Sequence, residues 1–163
     1  PDLDIEETGS TFSENSKIKA EAVHDILGKA ALADDSGLCV DALDGAPGVF
    51  SARYAGVDKD DDRNNEKLLA ELSKKEGASR KAQYECVLTL ITDEGREVVV
   101  SGKCHGTIGY SEVGDNGFGY DPLFIPDGFD KTFAELEPSQ KNAISHRRRA
   151  LEALKHELEN LKS

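Results

Sequence analysis

The amino-acid sequence predicts one α/β domain in which helices flank a mixed β-sheet. The chain has 163 residues, of which 37% are hydrophobic, and this is enough for a single globular domain with a buried core. Segments with helical periodicity alternate along the chain with segments of strand character. At least one pair of neighbouring strands, within residues 82–103, is predicted to form an antiparallel hairpin. This order of elements is typical of helices packed on a mixed sheet.

The first predicted element is a helix over residues 12–27. Thr11 and Glu14 have the S/T-x-x-E spacing of a capping box, which satisfies backbone N–H groups at the start of a helix. Apolar residues then recur at helical spacing up to Gly28, a residue type that often ends helices. The predicted apolar face consists of Ile18, Ala22, Val23, Ile26 and Leu27.

Two short strands are predicted next, over residues 30–33 and 38–43, on either side of a turn at 34–37. Residues 45–48 are Gly, Ala, Pro and Gly, which predict a loop. The acidic stretch 58–62 then leads into a second helix, because the helix dipole favours negative charge in a solvated first turn. The apolar face of this helix carries Leu68, Leu69 and Leu72.

The longest predicted strands form the hairpin, with residues 82–92 and 97–103 joined by a turn at 93–96. The first of these strands alternates, so one face carries Tyr84, Cys86, Leu88 and Leu90. A glycine-rich loop at 114–119 precedes a short strand at 122–125. The last predicted helix is anchored by Ala150, Leu151, Leu154, Leu158 and Leu161.

The charge balance argues against nucleic acid as a partner. The formal net charge is -12, so nonspecific binding to the phosphate backbone of DNA or RNA is disfavoured. A phosphate ligand would need local help from a bound divalent cation, which reverses the electrostatics of a carboxylate-rich pocket, and from a few basic residues gathered there. The sequence therefore leaves a polyanionic small molecule as a candidate ligand.

The cysteine pattern and the hydropathy favour an intracellular protein. Cys39, Cys86 and Cys104 are odd in number and widely spaced, which argues against a disulfide framework and a zinc site. No apolar run approaches the roughly 18 residues of a membrane helix and no signal peptide is present, so a cytoplasmic location is the default expectation. The sequence starts at Pro1 and contains no Met, so we expect that an initiator and a longer N-terminal segment are absent from it.

Two adjacent carboxylates, Asp34 and Asp35, follow an apolar strand and precede Ser36 and Gly37. Adjacent side chains on extended backbone point to opposite faces, so we expect the two to have different roles, with one facing a cleft. A magnesium site suits such carboxylates. Asp, Ser and Gly are equally ordinary turn formers, and these residues alone do not separate the two interpretations.

Three further clusters each have a structural and a functional interpretation. Glu14 is either only the capping-box partner or, together with the Asp pair, a metal ligand. The segment 118–122 places two aromatics and a carboxylate around a glycine, which would stack a flat ring or cap a strand with core aromatics. The segment 141–149 is a basic island in an acidic chain, and because consecutive residues on a helix diverge, at most one or two of Arg147, Arg148 and Arg149 should line a site.

Several motifs, in order over essentially the whole chain, together resemble the inosine/xanthosine triphosphate pyrophosphatase family. They are Ala33-Asp34-Asp35-Ser36-Gly37-Leu38, Gly45-Ala46-Pro47-Gly48, Ser51-Ala52-Arg53-Tyr54, Phe118-Gly119-Tyr120-Asp121-Pro122 and Ile144-Ser145-His146-Arg147. The resemblance implies an enzyme that hydrolyses noncanonical purine nucleoside triphosphates (ITP, dITP and XTP) to the monophosphate and pyrophosphate, with Mg2+. It also implies an elongated fold with a central mixed sheet and a homodimer.

The resemblance implies a role for each matching residue. Glu14 and Asp35 correspond to magnesium ligands, and Asp35 also accepts the proton of the attacking water. The residues expected to bind substrate are Ser36, Phe118, Gly119, Tyr120, Asp121, Lys141, His146 and Arg147. Among these, Phe118 is expected to stack on the purine, and the three basic residues are expected to contact phosphate or the 6-keto edge. Asp34 and Lys19 are secondary candidates.

The sequence departs from the family at its start. The family opens with a strand and a Ser/Thr-x-Asn-x-x-Lys loop that cradles the triphosphate; residues 1–163 do not include them, and we expect a full-length parent protein to carry them before Pro1. Residues 1–163 are therefore expected to form a single pyrophosphatase domain without this strand and loop. Two alternatives follow: a nucleotide-binding module with little turnover, and a metal-dependent phosphatase that releases phosphate instead of pyrophosphate.

Overall fold

The computed structural model describes residues 9–56, 60–75 and 77–161, and within them the α/β class is confirmed. In chain order the elements are α1 (Phe12–Leu27), β1 (Ala31–Val40), two 3₁₀ helices (Asp41–Leu43 and Gly48–Arg53), α2 (Asp61–Ser73), β2 (Lys81–Ile91), β3 (Glu97–Ile108), β4 (Phe124–Pro126), α3 (Pro138–Ile144) and α4 (His146–Leu161). No helix in the described ranges is long and apolar enough to cross a bilayer.

The four strands form one sheet in the order β1-β2-β3-β4. Every pairing among the described residues is antiparallel, so the parallel pair expected of a mixed sheet is not found there. The physical reason is that strands adjacent along the chain are also adjacent in the sheet, and each reverses the direction of the one before. The predicted hairpin is confirmed, and its second strand continues to Ile108, five residues past the predicted end at Lys103.

The predicted turn at 34–37 is wrong, because these residues lie in the middle of the continuous strand β1. Each residue from Ala31 to Val40 pairs with a residue of β2, and this ten-residue ladder outweighs the local turn preference of Asp, Ser and Gly. Gly37 is needed here for close packing: a Cβ atom on it would lie 2.5 Å from Gly48 O and 2.6 Å from Ser51 Oγ. The second predicted strand ends at Val40, where the first 3₁₀ helix begins.

Helix α1 has the predicted bounds and lies on one face of β1 and β2. Thr11 caps it by accepting the Glu14 N–H through Oγ1 at 3.1 Å. At its end Gly28 takes a left-handed conformation with φ of 65° and donates its N–H to His24 O. A buried hydroxyl pair, Ser16 Oγ and Thr89 Oγ1 at 2.6 Å, joins the helix to β2.

The two other predicted helices are present. Asp60 caps α2, and Leu68 and Leu72 are buried beneath it. Residues 58 and 59, the first two of the predicted stretch 58–62, lie outside the described part of the chain. In α4 the buried stripe includes Ala150 and Leu154, and Leu158 packs against it. The prediction that Leu151 anchors this helix is wrong. Leu151 is 46% exposed, because it lies about 100° around the helix from its buried neighbour Ala150. The side chain of Leu161 is outside the described set.

Helix α3 is not predicted by the sequence pattern, because it has seven residues and no apolar stripe. It begins at Pro138, a residue suited to the first helical position, and a capping box joins Glu137 and Gln140. Its C-cap is Ser145, immediately before α4. The junction of α3 and α4 thereby brings the predicted basic segment to the sheet.

Two core clusters lie on the face of the sheet opposite α1. One cluster gathers Phe124, Phe133 and Tyr84 with Leu38 and Leu68. A second cluster, under α4, contains Cys86, Leu88, Val100, Ala150 and Leu154. The three cysteines are free thiols, as the sequence predicts. Burial raises the pKa of each of these thiols to about 11, so they are protonated at neutral pH.

The close packing at Gly37 generates a stability prediction. We expect Gly37→Ala to lower the free energy of unfolding by about 1–3 kcal/mol, because the added methyl group meets backbone and side-chain oxygens. Gly109→Ala is the matched control, since its Cβ would meet no atom closer than 3.6 Å and should change stability by less than about 0.5 kcal/mol. Urea denaturation measures both, and equal stabilities would contradict this account of β1.

Candidate active site

A pocket of about 270 Å³ opens between β1, the 3₁₀ helix Gly48–Arg53, the 118–121 loop and the α3–α4 junction. Residues from distant parts of the sequence meet there. All eight residues predicted to bind substrate line this pocket: Ser36, Phe118, Gly119, Tyr120, Asp121, Lys141, His146 and Arg147. The structure therefore gathers the predicted set into one cavity.

The carboxylate of Asp121 is the polar centre of the pocket. It is 3% exposed and accepts three hydrogen bonds, from Lys141 Nζ (2.6 Å), Tyr84 OH (3.1 Å) and the Phe118 N–H (3.1 Å). Burial raises the pKa of Tyr84 well above its usual value, and the Asp121 charge adds to this effect. The Tyr84 hydroxyl therefore stays protonated and donates its hydrogen bond at any physiological pH. Through its three hydrogen bonds, Asp121 joins the sheet, α3 and residues 118–121, which we call the aromatic loop.

His146 lies against Tyr84, with ring centroids 4.8 Å apart and an interplanar angle of 12°. Burial, together with the nearby positive charges of Arg147 and Lys141, lowers the pKa of His146 to about 4. Its Nδ1 atom is buried and has no hydrogen-bond partner among the described residues. The imidazole is therefore neutral at physiological pH and keeps hydrogen-bonding capacity at the pocket wall.

The two aromatics of the 118–122 segment have different environments: the core interpretation is confirmed for Tyr120, and Phe118 lies at the pocket rim. Tyr120 is a core residue, 4% exposed, and its OH donates to Ser51 O at 2.6 Å. Phe118 is 72% exposed at the rim, with Lys141 Nζ 4.6 Å from its ring centroid. Phe118 thus presents a free aromatic face beside a cation.

The two adjacent carboxylates on β1 face opposite sides of the sheet, as the alternation predicts. Asp35 contacts α1: its side chain is 11% exposed, and Oδ1 accepts from Lys19 Nζ at 3.4 Å. Asp34 contacts α4 through an ion pair of its Oδ2 with Arg147 Nη2 at 3.1 Å. Asp35 is therefore on the α1 side of the strand, and Ser36 and the pocket are next to it.

Glu14 lies in the first turn of α1 at the level of Asp35. Two residues to either side of Glu14 the helix contacts the sheet: Phe12 Cε1 would lie 2.9 Å from a Cβ on Gly37, and Ser16 bonds Thr89, which pairs with Ala33. The Glu14 Oε2 atom accepts from the Ser10 N–H at 2.8 Å. In the predicted capping box the Glu14 carboxylate would accept from the N–H of Thr11. It accepts instead from the N–H of Ser10, one residue earlier.

The two predicted metal ligands, Glu14 and Asp35, are too few to form a closed magnesium site without a bound ligand. In the described parts of the chain no group of three or more His, Cys, Asp or Glu side chains is arranged to hold a metal. Mg2+ typically uses one or two protein carboxylates and completes its octahedron with water and substrate phosphates. Glu14 on α1 and Asp35 on the α1 side of β1 would be the protein carboxylates of such a site, and water and phosphate would supply the other ligands.

Only one of the three consecutive arginines reaches the pocket, as the sequence predicts. Arg147 lines it, whereas Arg148 Nε bonds Glu152 on the helix surface and Arg149 Nη1 donates to Lys103 O. Sequence reasoning gave no role in the site to several lining residues, including Ser51, Asp61 and Tyr84. Tyr84 was expected on the apolar face of its strand and Asp61 in a solvated helix start. No local sequence pattern indicates that these residues also line the pocket.

A model of the Ham1 family matches residues 1–157. A dITP/XTP pyrophosphatase of Clostridium perfringens is 50% identical over 166 residues, which cover 98% of this chain and 81% of that protein. Among solved structures, the Ham1 protein of Staphylococcus aureus has a TM-score of 0.93 and 48% identity, covering 98% of this chain and 82% of that one. A Mycobacterium abscessus nucleoside-triphosphatase / dITP/XTP pyrophosphatase has a TM-score of 0.82 and 47% identity, covering 94% and 79%.

The neutral state of His146 generates a pH prediction. Its pKa is about 4 in the folded protein, against an ordinary value of 6.5, so between these pH values the unfolded chain binds a proton that the native protein does not. Stability should therefore fall as the pH drops from about 6.5 to about 4, by on the order of 1–3 kcal/mol from this residue.

Urea denaturation of the wild type and His146→Gln across this pH range measures the effect. The variant should lose less stability than the wild type as the pH falls. His156→Gln, at an exposed position of the same helix, is the control and should follow the wild type. Parallel curves for the wild type and His146→Gln would contradict the assignment.

Proposed function

Because the chain belongs to the Ham1 family, we propose that it hydrolyses the noncanonical purine nucleoside triphosphates ITP, dITP and XTP to the monophosphate and pyrophosphate. The observation that carries this proposal is the convergence of all eight predicted substrate residues on one pocket. Relatives about 50% identical over nearly the whole chain bear the name dITP/XTP pyrophosphatase. The chain is accordingly a hydrolase of nucleotide metabolism.

In this proposal the purine stacks on Phe118, whose ring is exposed at the pocket rim. Gly119, Tyr120 and Asp121 form the wall behind the ring, and Lys141 is held at that wall by Asp121. Lys141, His146 and Arg147 contact the phosphates or the 6-keto edge. Arg147 bonds Asp34 in the structure, so contact with a ligand exchanges or shares that ion pair.

Base choice depends on a hydrogen-bond donor directed at the purine 6-oxo group. A 6-amino group would leave the buried donor unpaired, which costs roughly 1–3 kcal/mol per group. Lys141 and His146 are the donors that the pocket offers at its inner wall. ITP and XTP are therefore accepted, and ATP is a poor substrate.

The hydrolytic step takes place at the α1 side of β1. Asp35 orients the attacking water and accepts its proton, the water oxygen bonds the α-phosphorus, and pyrophosphate departs. Glu14 and Asp35 would hold Mg2+, whose positive charge stabilises the developing charge on the phosphoryl oxygens. Lys19, 3.4 Å from the Asp35 carboxylate, fixes the position of that side chain. No covalent intermediate with the enzyme is required.

The proposal includes the state of the protein in the cell. We expect residues 1–163 to act as a single pyrophosphatase domain, as a homodimer, in the cytoplasm and without a nucleic-acid partner. The acidic net charge of -12 supports the last point. Sedimentation equilibrium tests the homodimer directly, since a mass of one chain at micromolar concentration would exclude it.

The reaction itself is tested by identifying the products of ITP turnover with magnesium. We expect equimolar inosine monophosphate and pyrophosphate, with activity lost on chelation of the metal and restored by Mg2+. Release of single phosphates would instead indicate a phosphatase of another specificity. Tight ITP binding without any product would indicate a nucleotide-binding module.

The role of Asp35 predicts the effect of its amide variant. Asp35→Asn should lower kcat for ITP by about 10²–10⁴-fold, because an amide cannot accept the proton of the attacking water. Asp41→Asn, at an exposed position beyond the end of β1, is the control and should keep wild-type turnover. Near-normal turnover by Asp35→Asn would remove Asp35 from its assigned role.

The 6-oxo argument predicts an order of substrates. The kcat/KM values of ITP and XTP should exceed that of ATP by at least about tenfold, the ratio that 1.4 kcal/mol produces. The measurement is an initial-rate comparison of ITP, XTP, GTP and ATP under identical conditions. Equal values for ITP and ATP would defeat the argument about the 6-oxo donor.

A further inference from the structure

Helix α2 lies outside the predicted catalytic motifs, yet its first two turns hold both walls of the pocket. Two adjacent asparagines, Asn64 and Asn65, are 3% and 1% exposed. Amide side chains rarely occupy such positions unless they make hydrogen bonds. Both of these do, and they bond in different directions.

Asn64 holds the wall formed by the 3₁₀ helix Gly48–Arg53. Its Oδ1 accepts from the Ala55 N–H at 2.7 Å, and its Nδ2 donates to Ala52 O at 2.9 Å. Ala52 and Ser51 line the pocket. This wall is also joined to the aromatic loop, because Tyr120 OH donates to Ser51 O.

Asp61 and Asn65 hold the opposite wall, at Gly119. The Gly119 N–H donates to Asp61 Oδ2 at 2.9 Å, and Gly119 O accepts from Asn65 Nδ2 at 3.0 Å. Both backbone polar groups of this glycine are therefore bonded to α2. Asn65 Nδ2 also donates to Glu112 Oε1 at 3.1 Å, so the same amide holds the beginning of the loop.

Phe118 is the residue that this arrangement positions. Its own N–H donates to Asp121 Oδ2, and the peptide group after it is fixed by α2 through Gly119. Gly119 has φ of 60°, a conformation that other residues rarely adopt, which places the peptide where α2 can bond it. The ring itself is 72% exposed, so its position is determined largely by the backbone on either side.

We infer that Asp61 and Asn65 are positioning residues that preorganise Phe118 as a stacking surface for the base, and thereby set the affinity for substrate. The inference rests on the proposed function. Without these bonds the aromatic loop samples other positions, and binding must then order it at an entropic cost. The effect falls on KM rather than kcat, because Glu14 and Asp35 lie on the other side of β1.

Three variants at the start of α2 test the inference. Asp61→Ala removes the acceptor for the Gly119 N–H and should raise KM for ITP about tenfold with kcat within about twofold. Asp61→Asn keeps an oxygen acceptor and should restore KM to within about threefold of the wild type. Asp62→Ala is the matched control: it removes an equal charge from the same exposed first turn and should leave KM unchanged.

A second readout needs no turnover. The chain contains no Trp, so Phe118→Trp introduces a single fluorophore at the loop. In that background Asp61→Ala and Asn65→Ala should lower the fluorescence anisotropy of the indole, whereas Asp61→Asn and Asp62→Ala should not. If Asn65→Ala fails to fold, the Asp61 series alone decides, since Asp61 is an exposed residue.

The outcomes separate the inference from the proposed function. Unchanged anisotropy in Asp61→Ala overturns the inference, as does an unchanged KM in an enzyme that releases pyrophosphate from ITP. A KM effect that Asp62→Ala reproduces also overturns it, because helix charge would then be the cause. Absence of pyrophosphate from the wild type overturns the proposed function, and the anisotropy series then decides the positioning on its own.

Discussion

The pocket depends on one buried carboxylate. Asp121 accepts hydrogen bonds from a strand residue, a helix residue and its own loop, so three separate elements share a single charge. Burial of an unpaired carboxylate is strongly unfavourable, and Lys141 at 2.6 Å offsets that cost. The ammonium group, the aromatic rim and the sheet consequently keep fixed relative positions, as the proposed recognition of a rigid planar base would require.

In the proposed function, strand β1 separates the pocket that binds the base from the carboxylates that act on the phosphate. Because side chains alternate along it, Asp35 contacts α1 while Asp34 and Ser36 are on the side of α4 and the pocket. A shift of one residue in the β1–β2 register would exchange the two carboxylates. The ten-residue ladder with β2, together with the close approach of Gly48 and Ser51 at Gly37, holds the register.

Local patterns account for what the sequence could predict. The cap at Thr11, the Gly28 end of α1 and the alternation of the hairpin all act within a few residues and were correct. The turn at 34–37 failed because its local preference was overridden by pairing with residues about 50 positions away. The substrate-binding residues were predicted from the resemblance to family motifs. The hydrogen bonds that Asn64 and Asn65 make to the pocket walls could not be predicted, because their partners are distant in sequence and no spacing rule connects them.

The exposed ring of Phe118 also has a calorimetric consequence. A planar ligand that covers this ring removes apolar surface from water, and such burial has a negative heat-capacity change. The enthalpy of association therefore becomes more favourable on warming, while the entropy change becomes less favourable. Affinity of such a ligand would then vary less with temperature than either its enthalpy or its entropy of association.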